Sequence, residues 1–190
     1  MTALPGPVVR YLGEPRLTAG IARYGRLDLR AHQEVHGGLP ALSATELVDL
    51  AADIRLHGRG GAGFLFARKV GSVLEAVHRR GLPPALVVNA TEGEPPSWKD
   101  KVLLTRAPHL ILDGASVAAR AIGADLIVVG IADDGVGQAS LLAALGERRM
   151  PVATRVVTVP HRFISGEGGA LVRGINGEIP IPPGKRTRTA

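Results

Sequence analysis

The chain is expected to fold as an α/β domain, a parallel three-layer sheet of Rossmann-like type that lacks the usual dinucleotide fingerprint. Two observations point there. Three short apolar runs, Ala85 to Ala90, Asp125 to Ile131 and Thr154 to Val159, alternate with segments of helical periodicity across short joints, the signature of parallel strands linked by helices. A glycine-dense stretch, Gly58-Arg59-Gly60-Gly61-Ala62-Gly63, stands before the first strand. It fits G-x-G-x-x-G, but the dinucleotide motif needs a strand before it and an acidic ribose ligand about 20 residues later. Here a helical pattern precedes it, and Pro83 and Pro84 stand at that distance. Only a glycine-rich ligand loop is retained: a ribbon freed of side chains, whose N–H groups and following helix start favour phosphate or other polar ligand atoms.

In chain order, residues 1–42 are rich in Pro, Gly and Arg with little periodicity and read as an extended leader. Ser43-Ala44-Thr45-Glu46 is a capping box. Leu47, Leu50, Ala51 and Ile54 then share a helical face, with Gly58 expected to end the helix. Phe66, Val70, Val73, Leu74 and Val77 mark a second helix, closed by Gly81 and Pro83. The Val-rich run Ala85 to Ala90 suits a strand buried on both faces. Ile111, Ala115, Ala118 and Ile122 give a third helix ended by Gly123, and Leu141, Leu142 and Leu145 anchor a fourth. The α/β domain is thus expected over residues 43–178, with 179–190 a basic tail. No internal repeat is present.

Composition narrows the chemistry. With 190 residues, 45% of them apolar but only 3% aromatic, the core is built from Ala, Val, Leu and Ile. There is no cysteine, which excludes disulfides, thiolate zinc sites, cysteine nucleophiles and cysteine-held iron–sulfur clusters on this chain. His57, His78, His109 and His161 are spread without metal-ligand spacing, and no metal is expected. The formal charge of +6 favours phosphate-bearing partners. Part of it lies in the tail Gly184 to Thr189, read as a solvated end, and no nucleic-acid partner is expected. No apolar run approaches the roughly 20 residues of a membrane span and the N-terminus lacks a signal-peptide core, so no membrane insertion and a cytoplasmic location are expected.

In open parallel sheets, ligands sit beyond the carboxyl ends of the strands. Asn89-Ala90-Thr91-Glu92-Gly93-Glu94-Pro95 falls there. Pro95 and Pro96 hold Glu94 extended, and if Glu92 is extended too, both acids project to one side. The pair reads either as a solvated acidic turn or as acceptors for a ligand's hydroxyl, amide or ring N–H groups. Asp133-Asp134-Gly135 reads as a turn and cap, and Trp98 as a lid over the pocket or a partner surface.

Three segments in order, Gly58-Arg59-Gly60-Gly61-Ala62-Gly63-Phe64 with Lys69, Asn89-Ala90 with Glu92-Gly93-Glu94-Pro95, and Phe163-Ile164-Ser165-Gly166-Glu167-Gly168-Gly169-Ala170-Leu171, resemble the NADH-oxidising flavoprotein subunit of respiratory complex I. They are similar also to the diaphorase subunits of NAD-linked hydrogenases and formate dehydrogenases. The resemblance implies the FMN-binding fold of that family, FMN and NAD(H) as cofactors, and hydride transfer from NADH to FMN with a quinone-type final acceptor. By that likeness Gly58, Arg59, Gly60, Gly61, Gly63 and Phe64 line the shared pocket and Lys69 contacts the flavin. Asn89 matches the flavin-binding Asn at the strand end, Glu92 and Glu94 the acidic pair beside flavin and nicotinamide, and Glu167 the first Glu of the third segment. No protein acid or base is essential to that transfer, and Glu94 is the nearest to a catalytic group.

The departures are specific. Thr91 stands where the family has Asp, and Gly168 where it has a second Glu. Phe163 replaces a Tyr, Leu65-Phe66-Ala67 a Pro-Thr-Gly, and Val70 an aromatic. Family members continue into a further flavin-binding segment, a ubiquitin-like domain and a cysteine-bearing helical bundle absent from this sequence. The resemblance therefore implies an iron–sulfur electron acceptor on a partner or on a missing C-terminal part. The alternative is a degenerate, non-catalytic nucleotide-binding or assembly module.

Overall fold

The computed structural model describes residues 14–58, 63–94 and 97–184. Three parallel strands, β1 (Ala85–Ala90), β2 (Leu126–Ala132) and β3 (Ala153–Val159), pair in the order β1-β2-β3. Val88 lies opposite Val129, and Val129 opposite Val156. β2 is almost wholly buried, as a central strand between two others must be. β1 is not: only Ala90 at its end is buried. The expectation of burial on both faces holds for the central strand and fails for β1, an edge strand with no strand paired to its outer side among the described residues.

Alternate residues of a strand face opposite sides, and β2 uses both. Ile127, Val129 and Ile131 join one core with Leu112, Ala115, Ala119 and Ile122 of α6 (Pro108–Ile122) and with Leu141 and Ala144 of α7 (Gln138–Glu147). On the other side, a Cβ at Gly130 would come within 2.6 Å of Leu171. That residue belongs to α8 (Gly168–Ile175), which also packs on β1 and β3. Helices on both faces of one sheet make the three layers.

The remaining helices pack around these layers, with Val70 and Leu104 reaching the core. α3 (Ala44–Asp53) begins with the capping box, Ser43 Oγ accepting from Glu46 N and the Glu46 carboxylate from Ser43 N. It ends at Asp53 rather than at Gly58, and Arg55 turns the chain at φ 46°, a left-handed conformation uncommon for a residue with a Cβ. α4 (Phe66–Arg80) stops where Gly81 adopts the left-handed conformation, as its position predicted. α5 (Lys99–Arg106) is a helix that the sequence pattern does not announce.

The leader also differs from expectation. Residues 14–42 are not simply extended but contain α1 (Ile21–Tyr24) and α2 (Leu29–His36), the latter capped by Asp28. Ile21, Leu27 and Ala31 form a second apolar cluster with Ala107, flanked by Val102, Leu103 and Leu110. Leu27 N donates to Arg106 O, fixing this segment at the α5–α6 joint. No helix among the described residues is long and apolar enough to cross a membrane.

Candidate functional site

Parallel register puts the ends of all three strands at one edge of the sheet, where their loops meet. Asn89, next to last in β1, uses both ends of its amide. Its Nδ2 donates to Gly166 O at 2.8 Å, and its Oδ1 accepts from Thr91 N at 3.1 Å and Thr91 Oγ1 at 2.7 Å. Thr91 is therefore buried in a structural role. Two residues on, Gly93 lies against the backbone at Phe163: an added Cβ would sit 2.6 Å from Phe163 Cα and 3.1 Å from Arg162 O. Only a residue without a side chain allows that approach. The loop after β2 joins them, His161 N donating to Asp133 Oδ1 at 2.7 Å. The second and third sequence segments are thus in direct contact.

Glu92 is 5% exposed and faces inward. Its carboxylate accepts from Ser97 Oγ, from Lys99 Nζ at 3.1 Å, and from the N–H groups of Asp100 and Lys101, each at 3.3 Å. The last two are orphan donors of the first turn of α5, which has no side-chain cap of its own at Trp98. Burial raises the affinity of Glu92 for a proton, but these donors together outweigh it and hold the carboxyl below its usual range. Asp100 goes the other way, pushed up by burial despite its contact with Lys99. Glu94 is exposed, and its carboxylate has no partner among the described residues.

Glu167 has a similar role on the other loop. It caps α8, accepting from Ala170 N at 2.8 Å, and the N–H groups of Gly169 and Ala170 hold its carboxyl below the usual range. Beside it Ser165 is fully buried and its Oγ lacks a hydrogen-bond partner. Neither Ser97 nor Ser165 stands out in the sequence, since an isolated serine carries no spacing signal.

The glycine loop is closed at its base. Gly58 N donates to Phe64 O, Phe66 N to Leu56 O, and the His57 ring meets Gly63 O through Nδ1 at 2.7 Å. Gly63 is left-handed at φ 53°. Arg59, Gly60 and Gly61 lie outside the described residues, as do Pro95 and Pro96. Phe64 is 51% exposed. With Lys69, Val73, Arg80 and Pro84 it lines a cleft of about 510 Å³ along α4, within the roughly 300–1,000 Å³ usual for small-molecule sites.

Two groups emerge. Asn89, Thr91, Glu92 and Glu167 cluster around the strand-end loops, their polar atoms largely used by the protein. Phe64 and Lys69 share the α4 cleft with ring and ammonium uncommitted. No hydrogen bond or ion pair among the described residues joins the glycine loop to the Asn89–Glu94 loop. No group of three ligating side chains among the described residues is placed to hold a metal ion. His32 and His36 do have the four-residue spacing that the other histidines lack.

The sequence matches the Nuo51 FMN-binding domain over residues 51–190. It is 40% identical over 103 residues to a component of the NADH-quinone oxidoreductase of Rhizobium meliloti (strain 1021), covering 50% of this chain and 24% of that protein. It is 39% identical over 99 residues to the alpha subunit of the NAD-reducing hydrogenase HoxS of Cupriavidus necator, covering 52% and 15%. Among solved structures, the air-oxidized NAD+-reducing [NiFe]-hydrogenase matches with a TM-score of 0.67 and 28% identity, covering 90% of this chain and 29% of that one. The chain spans about a quarter or less of the length of these two curated relatives.

Proposed function

The chain belongs to the Nuo51 FMN-binding domain family, and from that premise we propose that it is an FMN-binding module that takes hydride from NADH and passes electrons to a quinone-type acceptor through an iron–sulfur partner. One observation carries the reading: an exposed aromatic ring, Phe64, and an uncommitted ammonium, Lys69, line one cleft immediately after a glycine-rich loop. That donor set fits a flat aromatic ligand bearing a phosphate.

FMN, when bound, supplies a ring that accepts hydride. The chain's own residues supply binding and orientation. Phe64 offers a face for stacking, and Lys69 a charge for a ligand oxygen or phosphate. The uncommitted Glu94 carboxylate accepts from a ligand N–H or hydroxyl. Asn89 acts at one remove, fixing the strand-end loops, and Glu92 and Glu167 act the same way through α5 and α8. The chain has no thiolate for a cluster, so the electrons leave for a centre held elsewhere.

A second reading, the degenerate module, is favoured by the same carboxylates. Glu92 and Glu167 satisfy helix starts, and Thr91 and Gly168 offer no acid, which leaves Glu94 as the uncommitted carboxylate of the expected set. Anaerobic reconstitution separates the two. Titrating FMN into the chain is expected to quench flavin fluorescence, and adding NADH to bleach the flavin absorbance. Flavin retained without bleaching favours a binding module. No retention at all removes the flavin reading.

A further inference from the structure

Away from the α4 cleft, three histidines, two buried and His36 partly so, form a string across the seam between α2 and α6. His32 lies between the other two, its ring centre 5.0 Å from that of His36 and 5.4 Å from that of His109. His32 is 2% exposed and His109 fully buried. Nε2 of His32 meets Asp113 at 2.7 Å, and Nε2 of His109 meets Glu147 at 2.8 Å. The remaining nitrogens, His32 Nδ1, His109 Nδ1 and His36 Nε2, are buried without a hydrogen-bond partner.

The charges around the string already balance. Asp113 is paired with Arg148 at 2.6 Å, and Glu147 with Arg26 at 2.9 Å and with Leu29 N at 3.0 Å. Asp28 is used as the α2 cap, while Glu34 accepts from Arg30 and Tyr24 on the exposed side. Each carboxylate that meets a ring is already shared with a guanidinium, so an imidazolium would gain no counter-charge of its own. A proton on His109 Nδ1 would add a buried cation beside the His32 ring, at a nitrogen with no acceptor.

We propose that the His36–His32–His109 string is an acid-released clasp, which holds the N-terminal helices against α6 when neutral and lets go when protonated. Its grip is local. Beyond it, the segment is held by the small cluster of Ile21, Leu27 and Ala31 on Ala107, by Arg26 on Ser140 and Glu147, and by the backbone bond from Leu27 to Arg106. Release would uncover the α5–α6 joint and leave the sheet intact. Burial holds His36 and His109 below the ordinary histidine range, His109 in spite of its contact with Glu147. For a group so depressed, stability is present above the unfolded value of about 6.5 and is lost as pH falls below it.

The test uses the full chain. Histidine ring resonances are followed by NMR through a pH titration, and amide exchange, corrected for intrinsic rate, is compared at about pH 7.5 and about pH 5.5. One linked proton changes the opening constant by about tenfold per pH unit below the unfolded value. Protection of α2 amides is expected to fall at least tenfold, while β2 amides change far less. His36→Leu removes a ring whose Nε2 makes no bond, and it should fold and show a reduced pH dependence. His36 and His109 titrating at or above about 6.5 would overturn the clasp. So would α2 protection indifferent to pH, α2 and β2 losing protection in parallel, or an undiminished pH dependence in His36→Leu.

Discussion

Asn89 Nδ2 donates to the carbonyl of Gly166 at 2.8 Å, across 77 residues of sequence. That bond joins the end of β1 to the turn before α8, and the same amide's Oδ1 holds Thr91. Asn89→Ala removes all three bonds, two of them part-buried, at the meeting point of the two loops. A loss of about 1–3 kcal/mol in unfolding free energy is expected, read from urea denaturation. A variant as stable as the parent would mean that the two loops are held by something else.

Gly93 and Gly114 make a matched pair. Gly93→Ala would drive a Cβ to 2.6 Å from Phe163 Cα, a backbone atom that cannot step aside. It should cost about 1–3 kcal/mol. Gly114 lies exposed within α6 with nothing near an added Cβ, and Gly114→Ala should stabilise by about 0.5–1 kcal/mol. Thermal unfolding of both variants checks the sign of each.

Glu92→Gln keeps the shape but loses the charge that gathers Lys99 and the first N–H groups of α5. The expected cost is about 1–3 kcal/mol near neutral pH. Because the folded carboxyl is held below its usual range, its contribution is present above the ordinary Glu value of about 4.3 and is lost as pH falls through the folded one. The gap in stability between parent and variant should therefore close in acid. A gap of constant width from neutral to acid pH would show the charge to be irrelevant.

Phe64→Ala and Lys69→Met test the cleft. Both side chains are exposed, so stability should stay within about 0.5 kcal/mol of the parent. Stacking on an aromatic side chain is worth about 1–3 kcal/mol per ring. FMN affinity measured by fluorescence should fall at least severalfold in Phe64→Ala and more weakly in Lys69→Met. Unchanged affinity in both would move the flavin elsewhere.

The sheet was legible because continuous Val-rich runs need burial, and α4 and α6 because Gly81 and Gly123 end a clear apolar period. α2 was hidden by its own chemistry: its buried residues are Ala31 and His32, and an imidazole on the inner face breaks the hydropathy pattern. α5 starts at Lys99 under a carboxylate from Glu92, seven residues back, a cap that no local spacing reveals. α8 opens on two glycines, against propensity, and depends on Glu167 and on packing against β1 and β3. Asn89, Glu92 and Glu167 were legible as special. Whether their polar atoms serve a ligand or the fold depends on donors brought near by tertiary structure.

A sheet of three strands has more rim than interior. β2 alone is flanked on both sides among the described residues, while β1 and β3 each present one outer row of backbone donors and acceptors. Such rows are templates for any extended polypeptide that arrives in register. Strand order alone thus leaves a backbone row on the outer side of β1 and of β3 without a paired strand among the described residues.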